Sequence, residues 1–385
     1  MQEIDQRFDF DTWLALGEAR QPAAIQAVDL ASLAVQALTG TFEGSLFLGC
    51  LIPDPAVSAR LVALGAVVLP NLPGYEFSVH RAHLYAVQEL FEGFDLQDPA
   101  GYKATRDYRI YAQFLEQGGA MPGSIQTSLA RRLHDHSITD ALMEIIEGRR
   151  VVAIMGGHSM ARGDAFYAAV ARIARALTRQ GYLLVSGGGP GAMEATHLGA
   201  YFAAREDSDL QAALEILRVR PAGATGGEYA DEDWLHRAWR VLEAFPILPG
   251  TEAQCLSVGV PTWLYGHEPP APFATRIAKY FANSVREDGL LAIATHGVIF
   301  APGSAGTTQE VFQDAAQNHY FTAGSCSPMV LLGTEHWTQT RPVWPLLEHV
   351  SRGQPYGELV ALTDDEQTVI EQIQAYEPQR YKKPG

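Results

Sequence analysis

The chain has 385 residues, 47% hydrophobic, 10% aromatic and 19% charged, which is enough for a sizeable core and predicts two domains. Forty-four acidic against twenty-eight basic residues leave a net charge of -16. That balance argues against a basic surface for nucleic acid or anionic lipid, yet allows a small phosphorylated ligand, because local backbone N–H groups can bind phosphate on an acidic protein. Cys50, Cys255 and Cys326 are odd in number and far apart, so neither a disulfide framework nor a clustered zinc site is expected, and a cytoplasmic setting is the default. The N-terminus carries Glu3, Asp5, Asp9 and Asp11 instead of a basic and then apolar signal segment, and no run reaches the roughly 20 apolar residues of a membrane helix.

In chain order, Pro22 to Leu38 reads as a helix. Ser45 to Cys50 then reads as a buried strand, Asp54 to Leu64 as a helix with Pro55 in its first turn, and Ala66 to Leu69 as a second strand. Val79 to Phe91, Arg106 to Glu116 and Ser124 to Leu133 are further helix candidates, and Ser137 to Asp140 has the form of a cap for a helix through Leu142 to Ile146. These segments predict an N-terminal domain over 1–148 that is a small α/β or mostly helical unit of unknown role. At Arg149 the pattern changes. Arg150 to Met155 reads as a strand, Gly156 to Ser159 as a loop, Asp164 to Gln180 as a helix, Tyr182 to Val185 as a strand, and Ser186 to Gly191 as a glycine loop opening a helix. Strand, loop, helix, strand predicts a Rossmann-like parallel sheet with helices on both faces over 149–385. A polar helical insertion covers about 206–250, broken by Pro221-Ala222-Gly223 and Gly226-Gly227. Sheet pattern resumes at Leu256 to Tyr265, His296 to Ala301, Pro328 to Leu332 and Glu358 to Leu362, before a closing helix.

Two glycine loops follow buried strands. In Ser186 to Glu194, Gly187, Gly189 and Ala192 satisfy the G-x-G-x-x-[GA] dinucleotide pattern, but Glu206, Asp207 and Asp209, near the spacing of a ribose-binding acid, have no strand ahead of them. The structural alternative is a tight strand-to-helix turn. In Pro302 to Glu310, small residues leave backbone N–H groups uncovered and Thr307 and Thr308 add hydroxyls, which suits a phosphate. Thr307 and Glu310 also have capping-box spacing, a helix-end role that need not exclude a chemical one. Pro302 breaks the serine-hydrolase elbow, and no lysine completes a Walker loop.

Taken together, Gly157-His158-Ser159, Gly187 to Met193 and Pro302 to Glu310 resemble the motifs of the Lonely Guy family of phosphoribohydrolases, once widely labelled lysine-decarboxylase-like, and the wording of the second is similar to the bacterial nucleotide 5'-monophosphate nucleosidases. The likeness runs from about 149 to 376. It implies hydrolysis of a nucleoside 5'-monophosphate or a related phosphorylated small molecule to free base and ribose 5-phosphate, without metal or cofactor, in a homodimer or higher homo-oligomer. It further implies Glu310 as the catalytic carboxylate, partnered by an arginine on the preceding helix: Arg286, with Arg276 as the alternative. Substrate-binding residues implied by the same motifs are Gly157, Ser159, Gly188, Gly189, Gly191, Met193, Gly303, Ser304, Ala305, Gly306, Thr307 and Thr308. Ser304 stands where the family signature has its second glycine, and its side chain either crowds the phosphate or adds a donor to it.

Other chemistries fit less well. A pyridoxal-phosphate enzyme needs a lysine in a phosphate cradle, and neither Lys103 nor Lys279 lies in one. His134-Asp135-His136 puts its histidines on different faces of a helix and reads as a solvated turn, not a metal site. The other reading of the nucleotide pocket is a non-catalytic nucleotide-binding or nucleotide-sensing protein.

Overall fold

The structure is a computed structural model that describes residues 1–69, 71–97, 101–219, 233–264 and 269–382. The chain divides into two compact units, Met1–Leu84 with Ala112–Ile145, and Tyr85–Tyr111 with Ile146–Gly385. The last division, at 145/146, lies near the expected 148/149, whereas 85–111, expected in the N-terminal domain, belongs to the second unit.

The first unit holds a parallel sheet of β1 (Gln2–Ile4), β2 (Ala23–Gln26), β3 (Leu46–Leu48) and β4 (Val67–Leu69), in that order. Its helices include α1 (Arg7–Ala15) and α2 (Pro55–Ala63). Asp54 caps α2 by accepting from the Ala56 N–H at 2.9 Å, and Pro55 occupies the first turn, where its missing N–H costs nothing. Ile4, Phe10, Trp13, Ile25, Phe47 and Leu61 form the core.

Three expected helices change here. Pro22 to Leu38 is not one: Ala23–Gln26 is strand β2, buried throughout because β1 and β3 pair with it on both sides, so no helix-period stripe is needed. Of Val79 to Phe91 only α3 (Val87–Leu90) is helical, since Tyr85 is drawn into an antiparallel bridge with Ile277. Ser137 to Asp140 caps nothing. They lie inside α5 (Ile125–Ile146), where the Ser137 and Thr139 hydroxyls donate back to the carbonyls of His134 at 2.8 Å and Asp135 at 2.9 Å. His134 and Asp135 are buried in that helix and His136 is exposed, so the segment is no solvated turn, although the histidines do point to different faces.

The second unit is an α/β Rossmann-like domain. β5 (Arg150–Met155), β6 (Tyr182–Ser186), β7 (Ser257–Gly259), β8 (Arg276–Ile277), β9 (Val298–Phe300), β10 (Met329–Leu332) and β11 (Val360–Thr363) form a parallel sheet in the order β11-β10-β9-β5-β6-β7-β8. Its helices are α6 (Ala165–Arg179), α7 (Ala192–Tyr201), α8 (Asp207–Arg218), α9 (Asp233–Ala244), α10 (Asn283–Ala292), α11 (Ala305–Tyr320), α12 (Trp344–Ser351) and α13 (Glu366–Gln374), together with α3 and the start of α4 (Arg106–Glu116). From β5 the chain winds one way through β6 to β8, then returns beside β5 with β9 and winds the other way. Right-handed crossovers then put helices on both faces. Val152, Ile154, Leu184, Ile299 and Val330 are fully buried between them. β7 is shorter than the expected Leu256 to Tyr265 because Pro261 cannot donate to a ladder; Tyr265 lies outside the described residues, as do Pro221-Ala222-Gly223 and Gly226-Gly227 of the insertion.

What holds 85–111 to this unit is a buried charge. Lys279 Nζ donates to Asp107 Oδ1 and Oδ2 at 2.8 and 2.9 Å, Trp263 Nε1 donates to Oδ1 at 3.0 Å, and the Tyr102 hydroxyl donates to Oδ2. Lys279, expected only to be a poor Schiff-base candidate, is thus a structural ion. Lys279→Met leaves Asp107 buried without its counter-charge and is expected to cost about 3–5 kcal/mol in urea unfolding, whereas Asp107→Asn with Lys279→Met removes the uncompensated charge, keeps an acceptor for Trp263 and Tyr102, and recovers part of that loss. A double variant no more stable than Lys279→Met would contradict this assignment.

Candidate functional site

β5 and β9 are neighbours whose chains depart in opposite directions, so their carboxyl ends form the topological switch point, the usual ligand position in such sheets. Three loops meet there backbone to backbone. The Gly157 N–H donates to the Pro302 carbonyl at 3.0 Å, and the Gly157 carbonyl accepts from the Ala192 N–H at 3.2 Å. A Cβ on Gly157 would lie 3.2 Å from Gly303 Cα, and one on Gly191 would collide with the Gly157 carbonyl oxygen. Gly191 also has φ +72°, which a side chain rarely adopts.

The expected binding residues therefore divide by exposure. Gly157, Gly188, Gly189 and Gly191 are buried; Gly157 and Gly191 serve the contact between loops, and the Gly188 carbonyl is already taken by the Ala271 N–H at 2.6 Å. Ser159, Ala305 and Gly306 are exposed, Met193, Gly303, Ser304 and Thr308 are half-buried, and Thr307 is buried. Helix α11 begins at Ala305 with Ser304 as its N-cap. Thr307 and Glu310 are therefore interior helix residues, and the capping-box reading of that pair is corrected. Ser304 has φ -111°, and its hydroxyl makes no capping hydrogen bond. His336 Nε2 sits 3.1 Å from the Gly303 carbonyl oxygen, bracing the loop from below the helix start.

Arg286, on α10, reaches the same place. Its Nε donates to the Val260 carbonyl at 2.8 Å, its Nη1 lies 4.0 Å from Glu310 Oε1, and its guanidinium covers the Cα of Gly187, where a Cβ would strike it and Met193. Arg276 is instead exposed on β8, donating to the Thr275 carbonyl at 2.8 Å. Glu310 is 16% exposed. Burial pushes its carboxyl up to about 7, with the Arg286 charge opposing and the Glu287 charge adding to the rise. A carboxyl that changes charge near neutrality, beside a cation and a helix N-terminus, can stabilise positive charge or accept a proton, while the first-turn N–H groups of α11 can hold an anion.

Sequence reasoning passed over a second carboxylate. Glu194, in the first turn of α7, is completely buried and receives Arg162 Nε at 2.9 Å, Arg162 Nη2 at 2.5 Å and the Tyr167 hydroxyl at 2.9 Å. Arg162 Nη1 also donates to the Trp234 carbonyl of α9 at 2.8 Å, so this one guanidinium joins the β5 loop, the glycine turn and the insertion. An acid in an otherwise apolar first turn was the available signal; nothing in the spacing marked Arg162. Glu206, Asp207 and Asp209 lie around the start of α8, where Asp207 meets Arg175 and Arg179, not at a strand end.

No protein-family model matches the chain, and no curated protein matches it. Among solved structures it is similar to the molybdenum cofactor binding protein from the phototrophic bacterium Rippkaea orientalis, at 13% identity and a TM-score of 0.37 over 60% of this chain and 98% of that one. It is also similar to the Moco carrier protein from Chlamydomonas reinhardtii, at 17% identity and a TM-score of 0.34 over 59% and 98%. Among the described residues no helix is long and apolar enough to cross a membrane.

Glu310 makes a stability prediction of unusual sign. The folded protein keeps the Glu310 proton up to about pH 7 while an unfolded glutamate releases it near 4.5, so stability falls as pH rises through that window and stays lower above it. Glu310→Gln removes the penalty and is expected to be more stable than the wild type by on the order of 1–3 kcal/mol at about pH 8, with the gain vanishing at about pH 4. Thermal melts at both pH values check it; a variant destabilised at both would contradict the burial cause. Two glycines separate in the same assay: Gly191→Ala meets backbone and should be strongly destabilised, whereas Gly187→Ala meets only side-chain ends and should fold, with Arg286 displaced.

Proposed function

We propose that this chain hydrolyses the N-glycosidic bond of a nucleoside 5'-monophosphate, releasing free base and ribose 5-phosphate, and that it is a member of the Lonely Guy group. The observation that carries the reading is the 4.0 Å approach of Arg286 to the half-buried Glu310, over the Gly187 turn and beside the start of α11. The start of α11 supplies an anion site and a carboxylate, and α10 a fixed cation beside them.

In this reading the 5'-phosphate rests on the N–H groups of Ala305, Gly306 and Thr307, with Ser304 and Thr308 beside it and Ser159 at the rim. The Gly187 to Met193 turn bounds the ribose and base. Cleavage of the C1'–N bond leaves its electron pair on the base and positive charge on the sugar, which the Glu310 carboxylate stabilises. Water adds its oxygen to C1', Glu310 takes the water proton, and that proton is passed to the departing base, so the carboxylate is regenerated. Arg286 favours the charged form of Glu310 against the desolvation that raises it.

The test is incubation with purine and pyrimidine nucleoside monophosphates, following base and ribose 5-phosphate. Glu310→Gln is expected to lose on the order of a hundredfold or more in kcat with the fold intact. Wild-type activity should rise with pH through about 7, as the carboxylate forms. Arg286→Met removes the cation that lowers this pKa, so the acid limb should move to higher pH. Tight nucleotide binding without base release would favour the non-catalytic sensing reading.

A further inference from the structure

Helices α10 and α11 also enclose a small polar cavity of ≈ 10 Å³, about the room taken by one water-sized sphere. Leu291, Ala292 and Thr295 at the end of α10 line it, facing Asp314 and Asn318 of α11 and Ser327. Asp314, one helical turn beyond Glu310, is only 3% exposed, and its Oδ2 has no hydrogen-bond partner among the described residues. Two of the polar neighbours, Asn318 and Thr295, have partners of their own. Asn318 Oδ1 accepts from the Ser327 N–H at 2.7 Å and its Nδ2 donates to the Ser327 carbonyl at 3.3 Å, while the Thr295 hydroxyl is 3.1 Å from His296 Nδ1. The other wall is the C-terminus of a ten-residue helix, whose carbonyl end carries partial negative charge even though the Gly289 and Leu291 carbonyls accept from the Ile293 and Ala294 N–H groups. A carboxylate and a helix C-terminus thus face one cavity, and no basic side chain lines it.

We propose that this cavity is a binding site for one monovalent alkali cation, sodium or potassium, held by Asp314 against the carbonyl end of α10. Burial by itself pushes the Asp314 carboxyl well above its usual range, and a cation would offset that cost by neutralising the ionised form. One carboxylate suits a single positive charge, whereas a divalent ion commonly gathers several. Because the walls belong to the helices bearing Arg286 and Glu310, the ion would clamp those helices together. This site does not depend on the proposed hydrolysis.

The full chain is melted in sodium, potassium and tetramethylammonium chloride at equal ionic strength, alongside Asp314→Asn, and wild-type crystals are soaked in a thallium(I) salt. The expected result is a wild-type Tm about 2–4 °C higher in an alkali salt than in tetramethylammonium, no such difference in Asp314→Asn, and an anomalous thallium peak beside Asp314. Equal wild-type melting in all three salts, a salt effect that persists in Asp314→Asn, or a cavity without thallium would each overturn the proposal. If Asp314→Asn does not fold, the wild-type salt series and the thallium map decide it.

Discussion

Backbone meets backbone where β5, β6 and β9 end, and the site is organised around that contact. Gly157 is bonded at its N–H to the β9 loop and at its carbonyl to the first residue of α7, and a Cβ on it would press against Gly303 Cα at 3.2 Å. Gly191 closes the same junction with a positive φ beside the Gly157 carbonyl. Any side chain large enough to separate these loops would move the start of α11 away from the glycine turn. At Gly191 glycine is required by close approach and by its positive φ.

The two glutamates of the site, Glu194 buried and Glu310 half-buried, show how differently one side chain can be used. Glu194 receives both arms of Arg162 and a tyrosine hydroxyl, a fully satisfied arrangement that holds three segments in place. Glu310 has a cation only at 4.0 Å and a carboxyl driven up to about 7 by burial. A group left in that condition lowers the stability of the charged fold, a cost commonly retained where chemistry needs it. The contrast supports a structural role for the first and a chemical role for the second.

Much of the second unit was legible because most of its strands are short apolar runs followed by a glycine or capping signal; β8 (Arg276–Ile277), with its exposed arginine, gave no such signal and was not expected. Arg150–Met155 and the Asp164 cap of α6 fall where the pattern puts them, and the Asp364-Asp365 segment likewise announces α13. The first unit was harder to read, since a central parallel strand such as Ala23–Gln26 is buried on both faces and its alanine-rich run has no period to distinguish it from a helix. Long-range pairing was equally invisible. Nothing near Tyr85 announces its bridge to Ile277, and nothing near Asp107 announces Lys279, so the placement of 85–111 could not be derived locally. At the site, motif spacing located both glycine loops and Glu310, and the family resemblance suggested Arg286. The capping-box spacing misled because the helix starts earlier than Thr307, and Arg162 carried no local mark.

The most direct measurement is a crystal structure of Glu310→Gln with a nucleoside 5'-monophosphate bound, since this variant retains the shape of the site while slowing any turnover. The account predicts phosphate on the N–H groups of residues 305–307, C1' within reach of residue 310, and Arg286 alongside. Phosphate bound away from the start of α11, or a ribose whose C1' points away from residue 310, would contradict it.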